Sequence, residues 1–203
     1  MIQAGKLPLP SAGERVSAAV VKVGGSLVSD PARLRSVLAD CVEQGPVVVV
    51  PGGGAFAEAV RAMQAALGFD DALAHRLALD AMGRMAEVFS ALEPRLPVAA
   101  SPEAVRDALD RGGSVIWDPV ALRAGHPDIP ECWDVTSDSL ALWLATRLGA
   151  GRCVFVKSAN DLPVADPAGL AGAGLVDRAF PLFAAAYAGT ILVRGASSER
   201  QAA

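Results

Sequence analysis

A lysine lies inside an apolar segment near the start of the chain and is followed at once by glycines. Lys22 is the one charged residue of the predicted strand 18–23, and Gly24, Gly25 and Ser26 come directly after that strand. An ammonium group without a partner is costly to bury, so its side chain should reach a carboxylate or a phosphate. Glycines let backbone N–H groups approach an anion closely. The pattern therefore predicts an anion site or, equally, a strand-end lysine in solvent beside a tight turn.

A second glycine loop follows the apolar segment 47–50, which is predicted to be a buried strand. The glycines at 52–54 open a predicted helix over 55–67, and a helix N-terminus adds favourable partial charge for an anion. Residues 52–57 match the dinucleotide fingerprint G-x-G-x-x-A, but a helix start at 69–71 replaces the strand and acidic residue expected about twenty positions later. The chain has no Walker A motif. Phosphate chemistry is therefore favoured over nicotinamide or flavin binding.

Predicted strands and helices alternate along the chain, which indicates a three-layer α/β/α sandwich around a mainly parallel sheet. Functional loops should then lie beyond the carboxyl ends of the strands. We predict a flexible extension over residues 1–17 and a single domain over 18–203. Within that domain we expect a loop or lid over 118–133, an irregular stretch or small hairpin over 160–174, and a short helix at the end.

Composition excludes several classes of protein. The 203 residues carry a formal net charge of −4 with no basic run, so nucleic acid is not an expected partner. No apolar run approaches the roughly 20 residues of a membrane helix. The three cysteines show neither zinc-ligand nor disulfide spacing: Cys41, Cys132 and Cys153. We expect reduced thiols, no protein-held metal and a cytoplasmic protein, possibly a homo-oligomer.

Three motifs together resemble the amino acid kinase superfamily, which includes acetylglutamate, uridylate, aspartate and isopentenyl phosphate kinases. They are V-K-V-G-G-S at 21–26, P-G-G-G at 51–54 and T-S-D-S-L at 136–140, and they occur in the family's order. Residues 75–78 and 176–181 further resemble the short group of [5-(aminomethyl)furan-3-yl]methyl phosphate kinases of methanofuran biosynthesis. The resemblance covers almost the whole chain from residue 18 and implies a carbamate kinase-like fold and transfer of the ATP γ-phosphoryl group to a phosphomonoester.

The resemblance also implies roles for individual residues. Two would be catalytic, by stabilising and organising charge at the transferring group: Lys22 and Asp138. Six would bind the nucleotide: Gly24, Gly25, Ser26, Lys157, Ser158 and Asp161. Six would bind the acceptor: Gly52, Gly53, Gly54, His75, Thr136 and Ser137. ATP and Mg²⁺ are the expected cosubstrate and metal, and such chemistry is mostly positioning and electrostatics.

One segment departs from the family pattern. Many relatives read T-D-x-D-G-[IV]-Y-x-K-D-P after the corresponding strand, whereas residues 157–167 here keep Asp161 but lack the following glycine and the late lysine. Lys157 or Arg194 is a candidate to replace that lysine. Otherwise the chain is a catalytically weak phosphate-binding subunit. A third hypothesis keeps the kinase but makes an amino acid carboxylate the acceptor.

Overall fold

The computed structural model describes residues 18–159 and 166–195 and, for the backbone alone, 199–201. The predicted extension at 1–17 and the predicted nucleotide ligand Asp161 lie outside these residues. Within them, no helix is both long and apolar enough to cross a membrane.

Helices and strands alternate through most of the described chain. The α-helices are α1 (Pro31–Glu43), α2 (Gly54–Leu67), α3 (Asp71–Leu92), α4 (Pro102–Asp110), α5 (Ser137–Leu148), α6 (Pro167–Gly172) and α7 (Phe180–Ala186). The strands are β1 (Ala19–Val23), β2 (Val47–Pro51), β3 (Val98–Ala99), β4 (Val115–Trp117), β5 (Arg152–Val156), β6 (Thr190–Arg194) and β7 (Glu199–Gln201). Short 3₁₀-helices cover Gly25–Ser29 and Pro119–Ala124.

The strands form one sheet in the order β3-β4-β2-β1-β5-β6-β7. All pairs are parallel except that of β6 with β7, so the predicted mainly parallel sheet is confirmed. β1 lies between β2, which follows it in the chain, and β5, which the chain reaches much later. Ligand sites of open parallel sheets lie at such a switch point, beyond the carboxyl ends of the strands.

Alternate residues of the strands enter two separate cores, which makes the fold three-layered. One core contains Val20, Val48 and Phe155 and is covered by α4, α5 and α7. The other contains Val21 and Val49 and is covered by α1. Side chains of α3 reach both cores. Burial of each such valine stabilises the fold by about 1.5–3 kcal/mol, and the alternation decides which strand residues face α5.

Helix starts follow from local side chains, as the sequence predicts. Asp30 accepts a hydrogen bond from the backbone N–H of Arg33 at 3.1 Å, with Pro31 at the first helical position of α1. Ser101 caps α4 in the same way, again with proline in the first turn. These caps satisfy N–H groups that a helix leaves unpaired at its start.

Three predictions of local structure were wrong or incomplete. The stretch predicted irregular over 160–174 contains α6, whose start is capped by Asp166. The predicted loop over 118–133 contains the 3₁₀-helix Pro119–Ala124, of which Pro119 and Leu122 are buried. The predicted last helix is replaced by β7, an antiparallel edge strand. A pairing partner distant in sequence decides that element, so its local composition was misleading.

The two glycine loops touch each other, backbone against backbone. A Cβ atom added to Gly25 would lie 2.4 Å from both N and Cα of Gly54, and one added to Gly52 would lie 2.6 Å from the N of Gly25. Gly52 N–H also donates to the Val23 carbonyl at 2.8 Å. These glycines are therefore required by close approach of the loops themselves.

A Gly25→Ala variant tests this contact. We expect it to lower the free energy of unfolding by about 1–3 kcal/mol, because the added methyl group overlaps the Gly54 backbone. Gly172→Ala is the control, because its added Cβ would meet nothing within 4 Å and it lies in a helix. Urea denaturation measures both; equal stability of Gly25→Ala and the parent chain would contradict the predicted overlap.

Candidate active site

Two lysines, one within β1 and one directly after β5, contact one carboxylate. The Nζ atoms of Lys22 and Lys157 lie 3.0 and 2.7 Å from Oδ1 of Asp138. Lys22 and Asp138 are buried, with exposed fractions of 5% and 6%. The whole chain contains three lysines against fifteen arginines, and two of the three meet here.

The alternation of the strands explains why these side chains meet. Lys22 follows Val20 on the face of β1 that α5 covers, and it is in register with Phe155 of β5. Lys157 comes two residues after Phe155 and therefore continues the same face. Asp138 lies in the first turn of α5, which packs on that face. Three elements distant in sequence thus bring their charges to one point at the carboxyl edge.

Burial and neighbouring charges shift the pKa values of Asp138 and Lys157. Burial works against a charged Asp138, but the ammonium groups of Lys22 and Lys157 prevail and hold the pKa of its carboxyl below the ordinary value. Burial and the charge of Lys22 lower the pKa of Lys157 to about 8, although Asp138 opposes this. At pH 7 two positive charges and one negative charge leave one net positive charge, which suits an anion.

A second aspartate fixes the start of α5. Asp177, just before α7, accepts hydrogen bonds from N–H and Oγ1–H of Thr136 at 2.9 and 2.8 Å, and from N–H of Ser139 at 3.0 Å. Ser139 Oγ–H is a fourth donor. Burial raises the pKa of Asp177 above its ordinary value, although the bonds from Ser139 and Thr136 favour the carboxylate. Asp177 therefore holds the turn that carries Asp138.

The first glycine loop is tied to the end of β5. Gly24 N–H donates to the Val156 carbonyl at 3.1 Å, and the hydroxyl oxygens of Ser26 and Ser158 are 2.9 Å apart. Arg33 of α1 donates to the carbonyls of Lys157 at 2.7 Å and Ser158 at 3.4 Å. The backbone at Lys157 is therefore held by groups from β1's loop and from α1.

A cavity of about 340 Å³ opens beside Lys22. One end is polar and contains the predicted residues Lys22, Gly25, Ser26, Gly52, Gly53, Gly54, Thr136 and Ser137. Its wall is apolar and contains Ala78, Leu79, Met82, Val135 and Leu140. The remaining lining residues are Ala55, Ala57, Glu58, Arg61, His75 and Trp133. The cavity therefore suits a molecule with an anionic end and a mainly apolar body.

His75 faces this cavity and is buried, with an exposed fraction of 4%. Its Nδ1 lies 3.2 Å from the Cys132 carbonyl oxygen, so Nδ1 carries the proton and Nε2 is an acceptor. Burial lowers the pKa of His75, which keeps the imidazole neutral at pH 7. The histidine therefore belongs both to the packed interior and to the cavity wall.

The rim of the cavity contains a stacked pair that the sequence did not indicate. The guanidinium carbon of Arg61 lies 3.7 Å from the centre of the Trp133 ring. Trp133 Nε1–H donates to Gln64 Oε1 at 2.6 Å, and Gln64 in turn donates to Asp71 at 2.8 Å. A cation over an indole contributes about 0.5–2 kcal/mol of interaction free energy. This contact and the hydrogen bond to Gln64 therefore hold Trp133 against α2 beside the cavity.

Most predicted site residues come together in the structure. Four of them are not among the lining residues but are bonded beside the cavity. Gly24 donates to the Val156 carbonyl, Ser158 contacts Ser26, and Asp138 contacts Lys157 as well as Lys22. Three residues of the site were missed: Arg33, Arg61 and Asp177. In the described parts of the chain, no cluster of histidine, cysteine or acidic residues could hold a metal ion.

Comparisons with known proteins give a consistent relationship. A model of the amino acid kinase family matches residues 17–179. The chain is 26% identical over 175 residues to [5-(aminomethyl)furan-3-yl]methyl phosphate kinase of Methanocaldococcus jannaschii, covering 80% of this chain and 81% of that one. Uridylate kinase from Archaeoglobus fulgidus superposes with a TM-score of 0.66 at 17% identity, covering 88% of this chain and 91% of the other. For aspartate kinase from Synechocystis the TM-score is 0.67 at 16% identity, with 92% and 40% covered.

Replacing Asp177 with alanine tests its role at α5. We expect the free energy of unfolding to fall by about 2–3 kcal/mol, because buried donors of Thr136 and Ser139 lose their acceptor. Asp134→Ala is the control. Asp134 is exposed, and its ion pair with exposed Arg178 is long, at 3.8 Å, so the effect on the free energy of unfolding should stay within about 0.5 kcal/mol. Urea denaturation compares them, and equal losses would show that Asp177 does not hold the helix.

Proposed function

The chain belongs to the amino acid kinase family and is a kinase, and we propose that it transfers the γ-phosphoryl group of ATP to a phosphomonoester. The acceptor we propose is [5-(aminomethyl)furan-3-yl]methyl phosphate, the compound that appears in the name of the relative from Methanocaldococcus jannaschii. The product would be the corresponding diphosphate. Methanofuran-type cofactor biosynthesis would use that product.

The contact of Lys22 and Lys157 with Asp138 is the observation that carries this proposal. Phosphoryl transfer requires positive charge around a phosphoryl group whose own charge is spread over three oxygens. Two ammonium groups held on one buried carboxylate provide fixed positive charge at the polar end of the cavity, where little water competes. Lys157 thereby supplies the second lysine that the segment 157–167 lacks at its usual position.

In the proposed step, an oxygen of the acceptor phosphate attacks the γ-phosphorus of ATP. A new P–O bond forms while the bond between the γ-phosphorus and the β,γ-bridging oxygen breaks, and the bond electrons leave with ADP. Lys22 and Lys157 stabilise charge on the group in transfer, and Asp138 keeps the two ammonium groups in place. No covalent intermediate with the protein is needed.

The two glycine loops suit two anionic groups on either side of Lys22. Gly24, Gly25 and Ser26, together with Ser158, are the proposed contacts of the nucleotide phosphates. Backbone N–H groups of Gly53 and Gly54 at the start of α2 are proposed to bind the acceptor phosphate. The N–H of Gly52 donates to the Val23 carbonyl, so Gly52 is proposed to contribute by letting the phosphate approach the loop closely. Mg²⁺ would be coordinated mainly by nucleotide phosphates and water, as is usual in kinases. It would neutralise part of the phosphate charge.

The rest of the cavity favours a phosphorylated acceptor with an apolar body over an amino acid. Ala78, Leu79 and Met82 form an apolar wall, and neutral His75 offers one acceptor nitrogen. Thr136 and Ser137 at the start of α5 are proposed to contact the acceptor from the opposite side. Among the described residues that line the cavity, Glu58 is the only carboxylate, and its side chain is 75% exposed, so this lining has little that would hold an amino acid's ammonium group.

Transfer of ³²P from γ-labelled ATP to a panel of acceptors tests the reaction. We expect label in the furan phosphate, with a diphosphate product seen by ³¹P NMR. Amino acids should give no acylphosphate that hydroxylamine can trap.

Lys22→Ala, which removes one of the two ammonium groups, should reduce transfer by about 10²- to 10³-fold. Equal transfer by Lys22→Ala would contradict the mechanism, and no transfer to any acceptor would favour a phosphate-binding subunit.

The protonation of Lys157 predicts a pH dependence. Its pKa of about 8 means that the ammonium charge is present below that pH and is lost above it. We expect kcat/KM for ATP, which reports ionisations of the free enzyme, to fall as pH rises through about 8. Lys157→Arg should lose this fall because a guanidinium stays charged. The same falling limb in Lys157→Arg would show that another group causes it.

A further inference from the structure

Arg33 contacts the backbone that carries Lys157. Its two terminal nitrogens donate to consecutive carbonyl groups, Nη2 to Lys157 at 2.7 Å and Nη1 to Ser158 at 3.4 Å. Arg33 lies in the first turn of α1, where the side chain of Asp30 accepts from its backbone N–H at 3.1 Å. The guanidinium therefore starts from a fixed point and spans from α1 to the end of β5.

Lys157 has few other backbone restraints. Its N–H donates to the Arg194 carbonyl at 2.9 Å, which continues the pairing of β5 with β6. On the other side, the Lys157 carbonyl accepts from Arg33, at the point where the strand has already ended. The carbonyl of a residue that leaves a sheet has no strand partner to orient it, so Arg33 takes the place of a neighbouring strand.

We propose that Arg33 is a positioning residue that fixes the backbone of Lys157 and thereby keeps its ammonium group on Asp138. The guanidinium suits this task because its planar fork reaches two successive carbonyl oxygens at once. Among the described residues, the acceptors of the Arg33 guanidinium are these two backbone carbonyls, and no described carboxylate lies within ion-pair distance of it. Arg33 is proposed to act on the reaction mainly through Lys157, whose carbonyl it contacts at the shorter of the two distances.

Lysine labelling tests this without any assay of catalysis. Acetic anhydride modifies the neutral amine of Lys157, and mass spectrometry measures the rate against an added free amine. The rate as a function of pH gives the midpoint of the Lys157 titration. Lys22, Asp138 and Asp177 are the charged groups that face the Lys157 ammonium. Arg33→Ala should move the midpoint upward toward the ordinary lysine value, because a released Lys157 regains water. Arg35→Ala is the matched control on the same helix, and its midpoint should equal that of the parent chain.

A double-mutant cycle tests the same idea in catalysis, and this half rests on the proposed kinase reaction. Arg33→Ala should lower kcat by about 10- to 100-fold with a smaller change in KM for ATP, as expected for a displaced catalytic group. In a Lys157→Ala background the same change should alter kcat by less than about twofold, because the two residues act as one unit.

The outcomes separate the two proposals. Arg33→Lys, which reaches one carbonyl only, should give an intermediate midpoint, and it replaces Arg33→Ala should that variant fail to fold. An unchanged Lys157 midpoint in a folded Arg33 variant would overturn the positioning role, whether or not any acceptor is phosphorylated. The positioning role would also be overturned if Arg33→Ala lowered kcat by the same factor, about 10- to 100-fold, in the Lys157→Ala background, because Arg33 would then act independently of Lys157. A shifted midpoint in a chain without transferase activity would retain the positioning role and remove the kinase proposal.

Discussion

The structure depends on one buried contact, in which the carboxylate of Asp138 holds two ammonium groups. Two like charges this close repel each other, and burial penalises every charge, so the carboxylate offsets a cost that the pair of lysines would otherwise impose on the fold. The lowered pKa of Lys157 shows that this compensation is incomplete. The site keeps one net positive charge that only an incoming anion can satisfy, and it is preorganised for that anion before binding.

The fold provides this contact through elements that are far apart in sequence. Strand alternation turns Lys22 and Lys157 toward the same face of the sheet, and α5 brings Asp138 to that face. Asp177 secures the first turn of α5 with four hydrogen bonds. Contact between Gly25 and the Gly52–Gly54 loop brings the carboxyl ends of β1 and β2 together. Each device limits how far a charged atom can move, which matters because misplacement of about 1 Å can cost 10²-fold in rate.

Sequence patterns predicted the parts of this site that are local. Lys22 in an apolar strand indicated an anion site or, equally, a strand end in solvent, and the structure pairs it with Asp138. The capping side chains and prolines at the starts of α1 and α4 are local signals of the same kind. Asp177 and Arg33 were not predictable in this way, since their partners lie 38–41 and 124–125 positions away. The antiparallel strand β7 was missed for the same reason, because only its pairing with β6 distinguishes it from a helix. The period of two in β5 could have indicated that Lys157 shares a face with Phe155, which makes it the better candidate for the missing lysine.

The central claim is that the carboxylate of Asp138 organises two of the chain's few lysines for the reaction. The chain uses arginine at fifteen positions and lysine at three, and two of those compact ammonium groups contact one carboxylate oxygen. Asp138→Asn keeps the shape of the side chain and removes its charge. Single-turnover transfer from ATP to the phosphorylated acceptor, with ATP affinity measured separately, should show a rate constant lower by about 10²- to 10³-fold and a much smaller change in ATP affinity. An unchanged transfer rate in a folded Asp138→Asn protein would contradict the claim that the shared carboxylate organises the reaction.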